Sequence, residues 1–185
     1  MARVLAVGLG NPLYGDDGFG SCLAQYLMQF NDFVYDGDAH GVGLLGLLSD
    51  YDVLVFVDVD ASLPPGAVAV ERIEGSLTVR ETRLLDAHRV PPSLLVGYLR
   101  AMGRDVEARL VAVGPASLEL LSPPSRQVLS AARAVLRELE DILAGYGLVL
   151  RWEGDPEAEI LRCYERALGA RPRATAPGTA GRTSF

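Results

Sequence analysis

Lysine is absent from this 185-residue chain, and all 17 of its basic residues are arginines. That absence excludes every chemistry that needs a side-chain amine: a Schiff base, a pyridoxal phosphate anchor, a serine–lysine dyad, or the lysine of a phosphate-binding loop. Cysteine and histidine are scarce as well, with two of each. Cys22 and Cys163 stand far apart, so there is no Cys-x-x-Cys redox or zinc pair, and both are expected to be buried or incidental thiols. With only His40 and His88, a three-histidine zinc site is impossible, and any metal site must lean on carboxylates. Although 49% of the residues are hydrophobic, no apolar run approaches the roughly 18 residues of a membrane span. No leader pattern accompanies the first apolar stretch, so a cytoplasmic protein with no membrane partner is expected. A net charge of −7 disfavours a nucleic-acid groove, which needs concentrated basic surface.

What the chain does have is concentrated near its start. Val4-Leu5-Ala6-Val7 is a short continuous apolar run, the pattern of a strand covered on both faces in a parallel sheet. It runs into a loop with Gly8, Gly10 and Gly15 and then into Asp16-Asp17. Phe19, Cys22, Leu23, Tyr26, Leu27 and Phe30 follow at helical spacing, so the unit reads strand, loop, helix. It is not a dinucleotide fingerprint, which would need glycine where Leu13 stands, nor a loop ending in Gly-Lys-Ser/Thr.

The same alternation continues. Strands are expected at 33–35, 53–57, 67–73 and 110–113, with helices over 42–48, from Pro91-Pro92 to about Met102, and from about Val128 to Gly145. This predicts an α/β three-layer sandwich, a mostly parallel twisted sheet flanked by helices, over residues 1–150. Residues 151–168 read as an extra helix and 169–185, almost without hydrophobes, as a disordered tail. Ligands of such folds bind beyond the carboxyl ends of the strands, where Asp16-Asp17, the Asp38–His40 loop and Asp58-Val59-Asp60 fall.

Asp17, Asp58 and His88 together supply two carboxylates and one imidazole, a donor set suited to zinc, nickel or manganese with positions left open. Each also has a plainer reading. An aspartate just ahead of a helix, Asp16 above all, commonly caps it. Asp58 or Asp60 at a strand end commonly forms a turn, and a loop histidine commonly stays solvated.

The motif Gly8-x-Gly10-Asn11-x-Leu13-x-x-Asp16-Asp17-Gly18-x-Gly20, the Asp36-Gly37 loop, the apolar strand into Asp58, the late His88 and Pro115-x-Ser117-Leu118-Glu119 together resemble the nickel-iron hydrogenase maturation endopeptidases. The resemblance covers about residues 2–145. It implies removal of a C-terminal extension from the hydrogenase large-subunit precursor after nickel insertion. It also implies metal ligation and catalysis by Asp17, Asp58 and His88, with Asp60 competing for the second place. Nickel, presented by the substrate, is the implied metal, with zinc or cadmium able to substitute in vitro. Asp38, His40 and Gly41 occupy the loop that the resemblance assigns to substrate recognition, and a monomer is expected. No serine or cysteine is placed as a nucleophile, which leaves water activated at or near the metal.

Three features depart from the family pattern. Asp38 and His40 stand where family members commonly carry glycine and small residues, the connection after Glu119 is short, and the segment beyond residue 150 has no counterpart. Peptidyl-tRNA hydrolase shares the opening Gly8-Leu9-Gly10-Asn11-Pro12, but its histidine and asparagine are replaced by Asp16-Asp17-Gly18. A non-catalytic adaptor docking on an assembling metalloenzyme is the reading from a different class.

Overall fold

The computed structural model describes residues 2–38, 43–74 and 90–169. Five strands form one sheet in the order β2-β1-β3-β5-β4, where β1 is Val4–Gly8, β2 Val34–Asp36, β3 Val53–Val59, β4 Val68–Arg72 and β5 Glu107–Val113. All neighbours pair in parallel except β4, which runs antiparallel to β5. Helices α1 (Phe19–Leu27), α2 (Leu45–Leu48), α3 (Pro92–Ala101), α4 (Arg126–Ala144) and α5 (Pro156–Ala167) complete the described fold. This is the three-layer α/β arrangement that the alternating pattern predicts, with element ends shifted by a few residues.

Strand β3 shows why the sheet is covered on both faces. Its side chains alternate, so Val53, Val55 and Val57 join the layer of α1, α4 and α5, while Leu54 and Phe56 join the layer of α3. The antiparallel β4 lies at an edge and is correspondingly half exposed. Where α1 meets the sheet the approach is close enough to require glycine: a Cβ on Gly8 would stand 1.9 Å from the Gly20 carbonyl oxygen. The helix ends at Leu27 rather than reaching Phe30, whose ring instead packs edge-on against Tyr26 at 5.8 Å.

The segment past residue 150 is integral to the packing. Proline at the start of α5, acidic Glu157 and Glu159 in its first turn and Arg166 in its last suit the helix dipole. Ile160, Cys163 and Tyr164 are buried in the α1/α4 layer. The reading of Cys22 and Cys163 as incidental thiols is overturned, because they form a disulfide with their Cα atoms 5.6 Å apart across 141 residues of sequence. The apolar face of α1 that carries Cys22 is the face α5 covers, a relationship that spacing alone does not contain. Among the described residues no helix is long and apolar enough to cross a membrane.

Candidate active site

Strand order dictates where a site can form. β1 has β2 on one side and β3 on the other, so the chain leaves β1 in one direction and returns to the opposite side. The crevice beyond the carboxyl ends of β1 and β3 is therefore the topological switch point, where open α/β sheets bind ligands. Asp17 follows β1 and Asp58 is the next-to-last residue of β3, so both stand at the carboxyl ends of those strands.

A 3-10 turn over Gly15–Gly18 carries Asp16 and Asp17 into α1. The segments on either side of the turn are pressed onto β3: the Leu9 amide donates to the Val57 carbonyl at 2.9 Å, and a Cβ on Gly20 would stand 2.3 Å from that same oxygen. Asp17 is 6% and Asp58 9% exposed. The Asp17 carboxylate accepts from the Asn11 amide at 2.9 Å, and Asp58 accepts from the Val59 amide at 2.8 Å. Gly10 makes the loop possible, with φ of 111° and a Cβ position only 1.8 Å from the Asp17 carbonyl oxygen. No other residue type tolerates both the left-handed backbone and that contact.

The two carboxylates at the end of β3 have different surroundings. Asp60 is half exposed, and its carboxylate accepts from the Ser62 amide at 2.8 Å, an Asx turn that ends the strand. Asp58 is the buried one, on the α3 side of the sheet by the strand's alternation. Asp38 is exposed, and its amide donates to the Asp36 carboxylate at 3.0 Å. His40, Gly41 and His88 lie outside the described residues.

Asp16 corrects another expectation. Its side chain makes no cap on α1. Instead the wholly buried carboxylate accepts from the amides of Ala116, Ser117 and Ser125 at 2.7, 3.1 and 2.6 Å, and from the Ser125 hydroxyl at 2.8 Å. Ser125 in turn caps α4 by accepting from the Val128 amide at 3.2 Å. Sequence reasoning does not reach this pair. A serine ahead of α4 signals a cap, but nothing local signals a partner more than a hundred residues upstream.

Tyr164 of α5 is buried within electrostatic reach of the same turn. Burial first, then the negative charges of Asp16 and Asp17, push its phenol well above the ordinary tyrosine value. Among the described residues its hydroxyl has no hydrogen-bond partner.

Asp17 and Asp58 are thus two buried carboxylates at the carboxyl ends of neighbouring strands, and buried carboxylates that come close repel unless protons or a cation offset their charge. Their oxygens, with an imidazole, fit a borderline divalent ion such as nickel or zinc. Among the described residues no group of three His, Cys, Asp or Glu side chains is placed to hold a metal ion.

No family model matches the chain. Individual proteins do. A Methanocaldococcus jannaschii protein assigned as a hydrogenase maturation protease is 33% identical over 149 residues, covering 76% of this chain and 94% of that protein. The hydrogenase expression/formation protein HupM of Azotobacter chroococcum is 31% identical over 180 residues, covering 90% and 83%. Among solved structures, the hydrogenase maturating endopeptidase HybD from Escherichia coli superposes with a TM-score of 0.62 at 26% identity, covering 80% of this chain and 95% of that one.

Proposed function

The chain belongs to the hydrogenase maturation protease family, and we propose that it is the endopeptidase that removes the C-terminal extension of a nickel-iron hydrogenase large-subunit precursor once nickel is in place. The observation that carries this reading is the pair of buried carboxylates, Asp17 and Asp58, at the switch point of the sheet. Such a pair, completed by His88, holds a cation that the precursor presents without the thiolates that would extract it.

In this reading the metal arrives with the substrate, and when bound it supplies Lewis acidity toward the scissile carbonyl or the attacking water. The chain's own residues do the rest. Asp17, fixed by the Asn11 amide, and Asp58, fixed by the Val59 amide, present oxygens at set positions. The glycine loop of residues 8–18 admits an extended backbone to the corner between them. His88 binds only as neutral imidazole, so metal binding weakens on acidification. The reading includes a cytoplasmic monomer. Thiols of that compartment are generally kept reduced, which makes the oxidation state of Cys22 and Cys163 in the cell a direct check on the setting.

The test is cleavage of purified precursor in nickel-loaded and nickel-free forms, with the released C-terminal peptide identified by mass. Cutting of the loaded form alone is expected, and Asp17→Asn or Asp58→Asn is expected to remove cutting while sparing the fold. Equal cutting of both forms rejects nickel licensing but keeps the peptidase. Binding without cutting under any loading favours the adaptor reading.

A further inference from the structure

Four of the large apolar side chains left exposed among the described residues stand on two neighbouring loops beside Asp17: Tyr14, Leu118, Leu120 and Leu121, the last two being 60% and 64% exposed. The loops form one body. The Asp16 amide donates to the Ser117 carbonyl at 2.9 Å, the Leu121 amide donates to the Leu13 carbonyl at 2.6 Å, and the Asp16 carboxylate holds the amides of Ala116 and Ser117. Within the second loop Ser117 accepts from the Glu119 amide and the Ser122 hydroxyl donates to the Glu119 carbonyl. The apolar side chains are therefore presented on a preorganised frame tied to the turn that carries Asp17.

Leu121 sharpens the point. It is the one non-glycine residue with positive φ among those described, at 59°. Glycine or asparagine adopts that backbone with less strain, and an exposed leucine gains nothing from burial to offset it. Strain and exposure at the same position both oppose stability, a combination expected where the side chain serves a contact made with another molecule.

The occupant follows from position. A peptidase lays its substrate across the switch-point corner, and the patch is continuous with that corner, since Tyr14 immediately precedes the turn bearing Asp16 and Asp17. We infer that Tyr14, Leu118, Leu120 and Leu121 form a docking rim for an apolar segment of the hydrogenase precursor next to its scissile bond. This rests on the function proposed above. Glu119, exposed within the rim, selects a segment whose charged neighbours are basic.

The experiment compares wild type with Leu120→Ser/Leu121→Asn in precursor cleavage and in binding of uncleaved precursor. Asparagine suits a positive φ, so the variant is expected to melt no lower than wild type. The rim predicts a rise in KM and in Kd of about tenfold or more with kcat unchanged. Wild-type cutting with unchanged KM and Kd in the variant overturns the rim and leaves the peptidase standing. Wild type that binds without cutting overturns the peptidase, and the Kd comparison still judges the rim; wild type that does not bind precursor overturns both. A variant that loses self-association while keeping its precursor affinity assigns the patch to a second copy of the chain and overturns the rim.

Discussion

Asp16 and Ser125 lie 109 residues apart in sequence, and the Asp16 carboxylate accepts both the amide (2.6 Å) and the hydroxyl (2.8 Å) of Ser125. One buried charge thereby joins the turn that bears Asp17, the loop after β5 and the N-terminus of α4. The helix dipole and four donors stabilise it where a lone buried carboxylate would be costly.

Removing that charge leaves the donors buried and unpaired. Asp16→Ala is expected to cost about 3 kcal/mol or more, and Ser125→Ala, which also loses the α4 cap, about 1–2 kcal/mol. Urea unfolding of both variants and their double should show strong non-additivity, because the pair shares one network. Additive losses would mean that the two residues act independently.

The Cys22–Cys163 bond closes a span of 141 residues between α1 and α5. Under reductant, or in Cys22→Ala/Cys163→Ala, stability is expected to fall by about 2–5 kcal/mol. Thiol labelling of the unreduced protein should find no reactive cysteine. An unchanged melting temperature in reductant would show that α5 is held by packing alone.

The Tyr164 phenol is raised by burial and by the charges of Asp16 and Asp17. A folded-state value above the unfolded one favours the neutral phenol, so its contribution is intact below the ordinary value of about 10 and is lost as pH climbs past it. Tyr164→Phe removes an unsatisfied buried hydroxyl. The variant should match or exceed wild type at neutral pH by up to about 1–3 kcal/mol and resist alkaline unfolding better. Earlier alkaline unfolding of the variant than of wild type would refute this account.

Glu107 behaves in the opposite sense. Its bond from Tyr146 first, then Arg109 at 3.2 Å, hold its carboxyl below the usual range. A depressed folded value means stability that is present above the unfolded value, about 4.3, and lost as pH falls through the folded one. Glu107→Gln should be less stable than wild type at pH 7 by a few tenths to about 1 kcal/mol, since both partners are partly solvated. The gap should narrow as pH falls below the ordinary glutamate range. A gap that is constant from pH 7 to pH 3 would assign the effect to shape rather than charge.

Much of the architecture was legible in the sequence because it rests on local patterns. Continuous apolar runs at Val4–Val7 and Val53–Val57 identify central parallel strands, and helical spacing from Val128 identifies α4, since burial on two faces or on one stripe dictates residue types directly. Asp17 and Asp58 were readable as candidates from the same patterns: Asp58 directly ends such a run, and Asp17 closes the glycine loop between the first run and a helical pattern. The absence of lysine had already narrowed the chemistry to carboxylates, imidazoles, thiols and hydroxyls. Tertiary structure alone decided the partners. Asp16 reads as a helix cap until the loop after β5 folds over it. Cys22 and Cys163 read as unrelated until α5 crosses α1. Nothing in the sequence ties Tyr164 to the acidic turn until that crossing brings it within reach of the Asp16 and Asp17 charges. Each of these contacts joins segments a hundred or more residues apart, and periodicity carries no information about which faces meet. Pairing at that range is set by how the layers stack on the sheet, which only the folded chain specifies.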